Sequence, residues 1–157
     1  MITTIMKPTL LVLAAGMGSR YGGLKQMDGL GPNGETIIDY SIYDAVEAGF
    51  GKVVYIVREY FKEDMIKHVH EKYSNVTCPD GEPLKFEFVT QELNKIPEGF
   101  EVSPDREKPW GTAHAVLMAK DVIKETKVVS PTKPNTAPTV SAITTISPST
   151  VISLISQ

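Results

Sequence analysis

The stretch that most constrains this chain is a short uncharged run, Thr9-Leu10-Leu11-Val12-Leu13, leading directly into a glycine-rich loop, Gly16 to Gly34. A run of this kind suits a strand buried on both faces, the usual condition in a parallel sheet. Glycines directly after such a strand let the backbone approach a bulky anion and aim its amides at it. Arg20 and Lys25 add two cations to the same loop. Arginine grips phosphate oxygens through a planar fork, and lysine acts as a point charge. The loop is therefore suited to holding a polyphosphate.

Three other glycine-rich loops do not fit. A Walker loop needs Gly-Lys-Ser/Thr in succession, whereas Leu24 separates Gly23 from Lys25 and Gln26 replaces the hydroxyl. The dinucleotide fingerprint needs a third glycine at a fixed offset, and Gly22 stands at the wrong distance from Gly16 and Gly18. A kinase loop lies between antiparallel strands and takes its lysine from the next strand.

Beyond the loop, Thr36 to Ala48 is predicted to be a helix. Ile37, Ile38, Ile42, Ala45 and Val46 lie on its inner face, Thr36 caps its start and Gly49 stops it. Lys52 to Val57 is a second buried strand. Tyr60 to Tyr73 is a helix with Phe61, Met65, Ile66 and Val69 inward. Pro79-Asp80-Gly81 marks a turn, and Leu84 to Thr90 alternates as a half-buried strand. An irregular segment, Glu92 to Trp110, leads to a short helix from about Gly111 to Val122. Strands alternating with helices predict an α/β fold, a mostly parallel sheet flanked by helices in three layers. Ligands of such folds sit outside the carboxyl ends of the strands, which puts Ala14 to Lys25 at the mouth of the site.

From about Val128 the chain changes character. Ser, Thr, Pro, Val and Ile dominate, and Pro131, Pro134, Pro138 and Pro148 argue against a long helix or a central strand. Residues 126–157 are expected to be a disordered Ser/Thr/Pro-rich tail. The net charge of -3 provides no basic field for nucleic acid. The single cysteine, Cys78, is read as a free structural thiol in a reducing interior. Lys7 and the apolar run after it imitate a signal peptide, but a buried strand explains them without export. No stretch approaches the roughly 20 apolar residues of a membrane span. The expectation is a soluble cytoplasmic protein with no membrane or nucleic-acid partner.

Leu13-Ala14-Ala15-Gly16-Met17-Gly18-Ser19-Arg20, followed by Lys25, resembles the signature of nucleotidyltransferases that act on sugar 1-phosphates. Gly34-Glu35-Thr36-Ile37-Ile38-Asp39-Tyr40 and Glu47-Ala48-Gly49-Phe50 are similar to that family's first helix. Lys108-Pro109-Trp110-Gly111-Thr112-Ala113-His114-Ala115-Val116 looks like the base-proximal segment of glucose-1-phosphate uridylyltransferases. The likeness covers roughly Pro8 to Ile123. It implies a nucleotide-diphospho-sugar transferase-like fold, incomplete on its C-terminal side, with residues 1–125 as the N-terminal part of that domain.

The implied reaction moves a nucleoside monophosphate from an NTP, a pyrimidine nucleotide favoured, to a sugar 1-phosphate and releases pyrophosphate. By resemblance Arg20 acts on the departing pyrophosphate and Lys25 on the α-phosphate. Ala14, Ala15, Gly16, Met17, Gly18 and Ser19 hold the nucleotide, and Gln91, Gly111 and Thr112 lie at the base. The family also implies Mg2+, whose aspartate ligands are not found in this chain. A non-catalytic nucleotide-binding module is the alternative.

Other conspicuous residues have ordinary explanations. His68 and His70 point to different faces of one helix and are read as surface, and Asp28 and Asp39 are not expected to bind metal. His114 is either a base or sugar contact or a packing residue, and Trp110 either stacks near the base or anchors its loop.

Overall fold

A computed structural model describes residues 7–16, 29–108, 110–123, 127–129 and 150–155, the last two segments by their backbone. The elements run β1 (Thr9–Leu13), α1 (Ile37–Glu47), β2 (Lys52–Val57), α2 (Glu59–Tyr73), β3 (Lys85–Thr90), α3 (Thr112–Met118), β4 (Lys127–Val129) and β5 (Thr150–Ile155). All strand pairings in the sheet are parallel, and the strand order is β3-β2-β1-β5-β4. The fold is α/β, as the alternation of elements predicts.

The helices lie on both faces of the sheet. Leu10, Val12, Val53, Tyr55 and Val57 form one core cluster with residues of α1 and α2. Leu11, Leu13, Val54 and Ile56 project the other way and pack with Ala115 and Ala119. This period of two, with both sets of residues apolar, is what a strand covered on both faces requires. Tyr55 stacks on Phe88 with ring centroids 5.4 Å apart, joining β2 to β3 on the α1/α2 side.

Local chemistry fixes the ends of α1. Thr36 and Asp39 form a reciprocal capping box, with Thr36 N donating to Asp39 Oδ2 at 2.6 Å and Asp39 N to Thr36 Oγ1 at 3.2 Å. At the other end Gly49 N donates to Val46 O and Phe50 N to Ala45 O, both at 2.9 Å. This is a Schellman closure, and Gly49 takes the left-handed φ of 86° that it needs. Ile37 departs from its predicted inward position and is 65% exposed. It lies about 100° around the helix from Ile38, and only Ile38 of the two reaches the sheet. On α2, Ile66 is half-buried while Tyr73 joins the core beside Phe61, Met65 and Val69. The last helix is shorter than predicted: α3 ends at Met118, and residues 119–122 form turns.

The C-terminal segment contradicts the expectation that it holds no central strand. Thr150–Ile155 runs between β1 and β4, pairing Thr9 with Val151 through Leu13 with Ile155. The prolines counted against a strand end at Pro148, and the proline-free Thr-Val-Ile-Ser-Leu-Ile that follows is rich in β-branched residues. The edge of β1 that a sheet of three strands would leave open is thus paired. The expected disorder of the intervening 130–149 falls outside the described residues.

Candidate functional site

The sheet changes direction at β1. The chain moves from β1 to β2 and β3 on one side, while β4 and β5 lie on the other. The carboxyl end of β1 is therefore the switch point, where α/β sheets open a crevice for ligands. Leu13 pairs with Ile56, and Ile56 with Val89, so Ala15, Arg58 and Gln91 leave the sheet at one level. Adjacent strands are about 4.8 Å apart, which sets Ala15 and Gln91 about 10 Å from each other.

Ala14 extends the sheet by one residue: its amide donates to Ile56 O at 2.8 Å and its side chain is buried. Its amide is thus spent on the ladder, and of the residues expected to hold a nucleotide Ala15 is the first past it. Ala15 is half-buried and Gly16 exposed. Met17, Gly18, Ser19, Arg20 and Lys25 lie outside the described residues. The loop re-enters with a turn in which Leu30 N and Gly31 N both donate to Glu35 O, just before the Thr36 cap.

At the end of β3, Gln91 and His114 make a buried polar cluster. Gln91 N donates to Val57 O at 2.9 Å, which holds the backbone on the ladder. Its side-chain Nε2 donates to Trp110 O at 2.6 Å and lies 3.3 Å from Gly111 O and 3.2 Å from His114 Nδ1. His114 Nε2 meets Lys95 O at 2.5 Å. A carbonyl only accepts, so Nε2 carries the imidazole proton and Nδ1 is left as an acceptor. Gly111, the N-cap of α3, and Thr112 after it are exposed. The structure thus brings the Gly111 carbonyl to the Gln91 side chain, with Thr112 next to Gly111 in the chain.

Trp110 contributes its carbonyl to Gln91, which favours the anchoring role over the stacking one. Its ring has the Arg106 guanidinium 3.9 Å from its centroid and borders a cavity of about 320 Å3 with Ile96, Phe100 and Leu117. His114 lines the same cavity.

Arg58 and Glu92, absent from the sequence-based candidates, sit between these two parts of the site. Arg58 Nε and Nη2 donate to the two oxygens of Glu92 at 3.2 and 3.1 Å. Arg58 is the N-cap of α2 and makes no side-chain cap bond of its own. Glu92 supplies that cap from β3's end, accepting from Glu59 N at 2.8 Å. Burial acts to raise the Glu92 carboxyl, but the Arg58 and Glu59 hydrogen bonds outweigh it and hold the group below the usual carboxylate range. The signal that would have found Arg58 is positional, a cation directly after a buried parallel strand.

Cys78 is free and buried, its thiol donating to Phe50 O at 3.4 Å. Asp39 serves α1's cap and an ion pair with Lys72. Among the described residues no three His, Cys, Asp or Glu side chains are grouped to hold a metal. Glu92, the acid at this edge, is already committed to Arg58 and Glu59. The described part of the edge therefore offers no ready ligand set for Mg2+. No helix among the described residues is long and apolar enough to cross a membrane. No protein-family model matches the chain, and no curated protein matches it either.

Proposed function

We propose that this chain is the nucleotide-binding part of a sugar-1-phosphate nucleotidyltransferase, with the nucleotide-diphospho-sugar transferase-like fold. The observation that carries the reading is the level alignment of Ala15, Arg58 and Gln91 at the switch point of a parallel sheet, with Gly111 drawn to Gln91. Phosphates would lie on the amides from Ala15 to Gly18, and the base between Ala15, Gln91 and Gly111. The span of about 10 Å between the ends of β1 and β3 suits a nucleoside laid across β2.

In the reaction a sugar-phosphate oxygen attacks the α-phosphorus as the α–β phosphoanhydride bond breaks. Pyrophosphate leaves with the electron pair of that bond. The protein's part is positioning and neutralisation of charge. Arg20 would meet the developing charge on pyrophosphate, and Lys25 the charge at the α-phosphate.

The assay is pyrophosphate release from UTP, dTTP, CTP, GTP or ATP with a hexose 1-phosphate. Release that depends on the sugar phosphate and disappears in Arg20→Ala and Lys25→Ala supports the transferase. The lack of a grouped acid set among the described residues favours a second reading, a nucleotide-binding module without turnover. That reading expects a nucleotide-dependent rise in melting temperature, lost in Arg20→Ala, with no release of pyrophosphate. If no nucleotide shifts the melt and no pyrophosphate appears, both readings fall.

A further inference from the structure

The two ends of the Gln91 amide are not equivalent. Its nitrogen faces three acceptors, the carbonyls of Trp110 and Gly111 and the Nδ1 of His114. The reverse orientation would set Oε1 against two carbonyl oxygens and leave the amide hydrogens pointing away from them. His114 contributes an acceptor to this cluster because the Lys95 carbonyl fixes its proton on Nε2. Gln91 is 6% exposed and His114 7%, so water competes poorly for these bonds.

We infer that His114 is a specificity-determining residue, a positioning group that works through Gln91. It holds the amide with Oε1 as the one group left for a ligand, so this edge of the sheet presents an acceptor and selects a heterocycle with a ring N–H. This rests on the nucleotide reading above and deepens it by naming the class of base. Uracil, thymine and guanine carry a ring N–H on their pairing edge. Cytosine and adenine carry a ring lone pair there, which a fixed carbonyl oxygen cannot pair with. A buried acceptor that meets a lone pair stays unsatisfied, and that mismatch is how polar sites reject close analogues.

The experiment is calorimetric titration of the full chain, His114→Leu and His114→Asn with UTP and with CTP, each variant first shown to melt cooperatively. The full chain is expected to prefer UTP by about tenfold or more, the worth of one such hydrogen bond. His114→Leu narrows that ratio while still binding. His114→Asn keeps the ratio, because its Oδ1 stands near the place of the ring Nδ1 and still offers Gln91 an acceptor. Titration of the unmodified chain with N3-methyl-UTP tests the same point without altering the protein, and a loss of about tenfold or more is expected. Equal affinity for UTP and CTP, as when the cytosine amine reaches Oε1, overturns the inference and leaves nucleotide binding intact. An unchanged ratio in His114→Leu, or full affinity for N3-methyl-UTP, does the same. Failure of every nucleotide to bind the full chain overturns the nucleotide reading along with it.

Discussion

At the scale of single residues, two glycines and one carboxylate separate binding from stability. Gly49 closes α1 with φ of 86°, and a Cβ there would meet nothing within 4 Å, so the cost of Gly49→Ala is backbone strain alone. A loss of about 1–2 kcal/mol is expected in urea unfolding. Gly111 has φ of -62° and also has open space around it. Gly111 is also the N-cap of α3, where alanine is a poorer residue than glycine, so Gly111→Ala should cost no more than about 1 kcal/mol. It should nonetheless weaken nucleotide binding if a base lies on that backbone, so calorimetry beside a melt distinguishes the two effects. Glu92 is the third case. Its folded pKa is depressed, so its contribution is present above the unfolded value of about 4.3 and fades as pH falls through the folded one. Glu92→Gln should cost about 1–2 kcal/mol at pH 7 through the lost charge on Arg58 and the α2 cap. Denaturation of both proteins from pH 7 to pH 3 checks the sign: the gap between them should close at the acid end.

At the scale of elements, each helix is held by a different device. α1 depends on caps encoded within its own neighbourhood, Thr36 with Asp39 and Gly49 with Phe50. α2 borrows its cap from Glu92, 33 residues from Glu59 in the chain. α3 is short and tied at its start through Gln91 and His114. The strands differ in the same way. β1 and β2 are buried by their own composition, whereas β5 owes its place to the open edge of β1. A chain ended at Ile123 keeps three strands and three helices but exposes that edge, a template for pairing with other chains. It is expected to associate, as light scattering would show, while the full chain stays dispersed. Hydrogen exchange would report the same pairing as slow amides over residues 151–155 in the full chain.

At the scale of the whole molecule, one sheet separates two cores, and the candidate site lies where β1, β2 and β3 release the chain. Ile56 is fully buried on the α3 side, and Ile56→Ala is expected to cost about 2–5 kcal/mol in denaturant unfolding. The sequence by itself determined the elements whose apolar period reports burial: β1 and β2 to the residue, α1 with both of its caps, and most of α2 and β3. Likeness to a family singled out Gln91 and Gly111, and these two are in hydrogen-bond contact in the fold. Local patterning can do this because it records which face of a segment avoids water. It holds no record of what that face or edge meets across the molecule. The Arg58–Glu92 fork joins residues 34 apart, the Gln91–His114 contact residues 23 apart, and β5 pairs with β1 from the far end of the chain. Such contacts depend on loop closure and on which hydrogen-bonding edge remains open, and only the assembled sheet decides these. Tertiary structure alone thus set the orientation of the Gln91 amide, the cap of α2 and the strand beside β1.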